Sequence, residues 1–66
     1  MNRKYEIWCT DGCQAVLLKV CPDKLQALRD AKHISTLASH PRIVVYESFK
    51  EISANENGKT IRGEQS

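Results

Sequence analysis

The sequence lacks any apolar stretch close to the roughly 20 residues needed to cross a bilayer; Ala15 to Leu18 is a strand-sized run. Its first residues, MNRKYEIWCTDG, are charged but carry no apolar segment of the kind a secretory signal requires. Together these absences set aside transporter, pore and secreted-precursor readings, and the expectation is a soluble, cytoplasmic protein with no membrane partner. Glycine is scarce: Gly12, Gly58 and Gly63 are too dispersed to build a phosphate-cradling loop. Cysteine is odd in number, at Cys9, Cys13 and Cys21. A disulfide scaffold normally shows an even count, so thiols in a reducing compartment are expected. No block of one charge sign exists either. The net charge of +2, from ten Lys and Arg against eight Asp and Glu, is spread along the chain, whereas dependence on phosphate contacts usually leaves a denser cationic footprint.

What is present fits one small domain. A chain of 66 residues leaves no room for two. At that size the buried fraction is modest, and stability gains from a partner or a second copy. The hydrophobic fraction of 41% against 27% charged excludes disorder as the class.

Residues 4–9, KYEIWC, carry the branched and aromatic content of a strand, with Tyr5, Ile7 and Cys9 alternating on one face. Asp11-Gly12 follows as a type I′ hairpin signal, and residues 14–20, QAVLLKV, read as the return strand. A two-residue Asp11-Gly12 loop pairs Trp8 with Ala15, Ile7 with Val16 and Tyr5 with Leu18. Tyr5, Ile7, Cys9, Val16, Leu18 and Val20 then make an apolar core face. Glu6, Trp8, Thr10, Cys13, Ala15, Leu17 and Lys19 make the other. Asp23 with Gln26 three residues on forms a capping-box pattern. The helix it opens is predicted to reach Ala38 or Ser39, before Pro41. Its buried stripe is Ala27, Leu28, Ala31, Ile34, Leu37 and Ala38, with Leu25 covering an edge of the core. Gln26, Arg29, Lys32, His33 and Thr36 face outward. Residues 42–49, RIVVYESF, read as a third strand with either face available for the core. FKEISANENG is less ordered in character, and Asn57-Gly58 is a second turn signal that leaves Lys59 to Arg62 as a short edge strand or a frayed tail.

The predicted architecture is therefore α+β: a two-layer ββαβ domain over residues 1–52, with one helix on a three- or four-stranded antiparallel or mixed sheet, and residues 53–66 as a C-terminal tail or short edge strand. Strand order 2-1-3 is favoured. A single helix covers one sheet face, so Trp8, Ala15 and Leu17 are expected to lie together on the uncovered one, unless Phe49 and Ile52 close over Trp8. Contiguous exposed apolar surface marks a contact site.

Candidate chemistry is thin. Cys9 and Cys13 have zinc-like spacing, but the hairpin register sends them to opposite faces. His33 and His40 are about 10 Å apart along a helix, too far to share one metal. Cys13 and His33 have nothing to bring them together as a nucleophile pair. Asp11, Glu47 and Glu51 show no pattern of paired acids. No catalytic, metal or cofactor-binding residues are assigned, and neither an enzymatic role nor a small-molecule substrate is expected.

Two functions remain open. The first is a protein-interaction domain acting by stoichiometric binding, with Trp8, Ala15 and Leu17 as apolar contacts and Glu6, Thr10, Lys19 and the third strand at the rim. Its partner is another protein or a second copy in a homodimer, and a phage- or plasmid-type inhibitor or accessory protein is one version. The second is a nucleic-acid-binding module. There Arg29, Lys32 and His33 on the outer helix face, with His40, Arg3 and Lys4 nearby, contact phosphate while Trp8 stacks on a base.

Overall fold

The computed structural model describes residues 4–11, 14–37 and 42–64. Along the chain run β1 (Tyr5–Asp11), β2 (Gln14–Cys21), α1 (Lys24–Leu37), β3 (Arg42–Glu47), β4 (Lys50–Glu56) and β5 (Lys59–Gly63). The strands form one five-stranded sheet in the order β2-β1-β3-β4-β5, every neighbouring pair antiparallel. The helix packs on one face, mainly over β3 with β4 and β1 at its sides. The expected order 2-1-3 is present. Strands β2 and β3 both run opposite to β1, hence parallel to each other, and parallel strands need a long crossover, which α1 supplies.

The sheet has five strands rather than three or four, because the segment expected to be poorly ordered is β4. It crosses position 53, so residues 53–66 hold half of β4 as well as β5, the short edge strand that was one of the two readings of that segment. Two tight hairpins make this possible. Asn57 and Gly58 both have positive φ, 51° and 78°, as a type I′ turn requires. The β3–β4 turn does the same with Ser48 and Phe49, at 50° and 68°, neither of them a residue that favours this region.

The β1–β2 register also differs from expectation. Trp8 pairs with Leu17, Cys9 with Val16 and Asp11 with Gln14. The expected Asp11-Gly12 turn overlaps Gly12 and Cys13, which lie outside the described residues, as do Arg3, Ala38, Ser39, His40 and Pro41. A shift of two residues leaves side chains on their original faces, so Trp8, Thr10, Ala15 and Leu17 still share one. Leu18 is then an extra residue between Trp8↔Leu17 and Ile7↔Lys19, a bulge that reverses the faces of everything after it. Lys19 and Cys21 turn to the helix side, and Val20 joins Glu6 on the other. Leu18 and Val20 are consequently exposed instead of forming core, Val16 is exposed too although it lies opposite Cys9, because β2 is an edge strand, and Cys21 is buried.

The core between helix and sheet is Tyr5, Ile7, Cys9, Cys21, Ala27, Leu28, Ala31, Ile43 and Val45, with Ile34 and Ile52 packed against it. Alanines at 27 and 31 let the helix approach closely. Asp23 caps it as expected, its carboxylate accepting the Gln26 N–H at 3.0 Å. Leu37 and Leu25 are exposed rather than covering core, and the polar Ser35 is buried in that part of the helix instead. Its hydroxyl accepts the Gly58 N–H at 2.9 Å and donates to the Lys32 carbonyl at 2.6 Å, tying the β4–β5 turn to the helix. Under the helix β4 is polar as well. Asn55 donates to the Ile43 carbonyl and to the Ser53 hydroxyl, and accepts from the Thr60 hydroxyl at 2.7 Å.

Candidate functional site

On the uncovered sheet face, adjacent strands bring Glu6 beside Tyr46 and Trp8 beside Val44, with Leu17 on the far side of Trp8. Glu6, Trp8, Ala15, Tyr46 and Phe49 line a depression of about 250 Å³ there. The Trp8 indole Nε1–H donates to Glu6 Oε1 at 3.2 Å, which orients ring and carboxylate together. Phe49 is 98% exposed at the tip of the β3–β4 hairpin. It therefore does not cover Trp8, and Ile52, the other proposed cover, packs on the helix side.

Of the residues expected at a protein interface, Glu6, Trp8, Ala15 and Leu17 come together on this face. Lys19 does not. The bulge turns it to the helix side, where its ammonium pairs with Asp30 at 2.8 Å. That contact holds the Lys19 ammonium above its usual pKa and the Asp30 carboxyl below its own. Cys21 sits in the same group, its thiol 3.8 Å from Asp30 Oδ2, and burial pushes that thiol up. Tyr46 and Phe49 complete the depression; the sequence pattern placed the third strand at the rim without singling out Tyr46, and gave Phe49 only as a cover for Trp8. Tyr46 was legible only as belonging to one of two possible faces. Phe49 is placed by a Ser-Phe turn that carries no turn signal in its residue types.

Arg29 and His33 are exposed on the outer helix face and Lys32 is half-buried. A hollow of about 610 Å³ lies against this face, lined by Asp23, Leu25, Gln26, Arg29, Asp30 and His33. All six belong to one helix and its cap, so the hollow has a single wall and cannot enclose a ligand. Two carboxylates also stand among its cations, which weakens it as a phosphate-binding surface.

Cys9 and Cys21 are buried thiols. Among the described residues no three His, Cys, Asp or Glu side chains gather as a metal-ligand set, and no helix is long and apolar enough to cross a membrane. No protein-family model matches the chain, and neither a curated protein nor a solved structure does.

Proposed function

We propose that this chain is a non-enzymatic protein-interaction domain that binds a partner stoichiometrically through the uncovered sheet face, with Glu6, Trp8, Ala15, Leu17, Tyr46 and Phe49 as contacts. The observation that carries this reading is Phe49. A fully exposed aromatic ring at positive φ serves no folding purpose that burial could reward, and strained positions of this kind concentrate at functional sites. Around it lie two further aromatics with rigid, large contact areas, the residue types favoured as interface anchors. Occlusion of a partner, the way of a small inhibitor or accessory protein, needs no more than such a surface. A second copy of the chain is one candidate partner. Buried thiols at Cys9 and Cys21 suit a reducing, cytoplasmic setting.

The test is a photo-crosslinking benzoyl group introduced on the ring at position 49, with a matched variant carrying it at His33 on the helix. The expected result is a discrete protein adduct from position 49, with none from position 33. Adducts from position 33 alone, above all to nucleic acid, would overturn the reading. The mass of the position-49 adduct separates a second copy from another protein.

A further inference from the structure

We infer that the depression on the uncovered face receives a positively charged side chain of the partner, an arginine or lysine, laid on the aromatic rings and closed by the Glu6 carboxylate. This rests on reading that face as a protein-binding surface, and it names the chemistry the surface selects.

The chain has one Trp, two Tyr and one Phe. Three of these four aromatics, Trp8, Tyr46 and Phe49, line the depression, and the fourth, Tyr5, is buried on the opposite face. Aromatic faces carry a negative quadrupole and attract cations, arginine most often. Among the described residues Glu6 is the only charged one lining the depression. One of its carboxylate oxygens accepts the Trp8 indole N–H, and among the described residues nothing donates to the other, which has the lone pairs to accept from a ligand. Among the described residues no Lys or Arg forms an ion pair with it. Across the sheet Tyr46 stands between Glu6 and Glu51, so a second carboxylate borders the ring, itself held by Arg62.

Charge complementarity decides the occupant. A neutral apolar group docked here would remove water from the Glu6 carboxylate and return no partner, which is costly. An anion would meet Glu6 directly. A guanidinium or ammonium satisfies both the carboxylate and the rings, and a planar guanidinium can stack on one while donating to the other. Phe49 supports the same use. The neighbouring hairpin makes its turn with Asn57-Gly58, residues that accept positive φ readily, whereas this one retains a phenylalanine at the rim.

The experiment uses the ¹⁵N-labelled protein, whose single tryptophan gives one indole N–H resonance. Three capped tripeptides, Gly-Arg-Gly, Gly-citrulline-Gly and Gly-norleucine-Gly, are titrated into it. The arginine peptide is expected to shift the Trp8 indole signal saturably in the millimolar range. Citrulline, of nearly the same shape but uncharged, is expected to bind at least about tenfold more weakly. Glu6→Gln and Phe49→Gly should each weaken the arginine peptide about fivefold or more, with amide spectra otherwise that of the folded protein. Equal shifts from citrulline or norleucine would overturn the cationic occupant while leaving a protein-binding face. Absence of any shift while the position-49 adduct still forms would also overturn it. Absence of both would remove the surface reading as well.

Discussion

Replacing Phe49 by glycine is expected to make the protein more stable and less able to bind. The ring is 98% exposed, so its removal forfeits almost no burial. Its backbone has φ 68°, in the left-handed region that costs an L-residue about 1–2 kcal/mol. Glycine relieves that strain but brings extra freedom to the unfolded chain, an opposing effect of about 0.4–1 kcal/mol. The difference favours the variant by about 0.5–1 kcal/mol, which for a domain of this size raises Tm by roughly 2–8 °C. Thermal unfolding followed by circular dichroism, together with the urea midpoint, reads it. Adding Ser48→Asn, which rebuilds the Asn-Gly turn used at positions 57 and 58, should raise stability further. A loss of about 1 kcal/mol or more in Phe49→Gly would mean instead that the ring packs or that the turn prefers it. A gain in stability accompanied by loss of the arginine-peptide shift is the trade expected of a residue retained for contact rather than for folding.

Ser35→Ala should cost about 0.5–1.5 kcal/mol, because it removes the acceptor of the Gly58 N–H in a part-buried setting; a lowered urea midpoint and faster amide exchange at Gly58 would report it, and a wild-type midpoint would contradict it. Stability should fall at both ends of the pH range. Asp30 has a depressed carboxyl, so its contribution is present above the unfolded value near 4 and is lost as pH falls through the lower folded value. Lys19 and Cys21 are raised. Their contributions are present below their unfolded values, about 10.4 and 8.5, and are lost as pH rises through the folded ones. A urea midpoint that climbed between about pH 9 and 11 would contradict the alkaline arm, and Asp30→Asn should flatten part of the acid one.

The layer arrangement and the helix cap were legible because each is signalled locally, by period-2 alternation and by Asp23 with Gln26; the order of the first three strands was favoured, but no residue pattern dictated it. Three features were not. A bulge is one extra residue, and nothing in AVLLKV says that Leu18 rather than its neighbour is unpaired; yet it decides that Lys19 faces Asp30 and not the candidate site. Strand β4 hides because the residues it turns toward the helix, Ser53 and Asn55, are polar and satisfied by specific hydrogen bonds, so the usual apolar alternation is missing. The β3–β4 turn hides because Ser-Phe has no preference for positive φ. Four of the six candidate-site residues were visible, Glu6, Trp8, Ala15 and Leu17. Phe49 depends on that turn, and Tyr46 on which face of β3 meets the core.

Trp8 and Phe49 therefore differ as probes of function. Val44 and Ala54 are buried although the helix lies on the other side of the sheet. Trp8 is the register neighbour of Val44 on β1, and Ala54 is its neighbour on β4. Side chains opposite one another on adjacent strands lie about 4.5–5.5 Å apart at Cβ, so the indole is positioned to shield Val44. Removing it with Trp8→Ser exposes that valine and lowers stability along with any contact, and a loss of binding in that variant is ambiguous by itself. Phe49 carries no such burden, because its ring shields nothing and its backbone is strained. Binding that fails in Phe49→Gly while stability rises would locate the contact at the hairpin tip, and binding that survives there but fails in Trp8→Ser would move it toward β1 and β2.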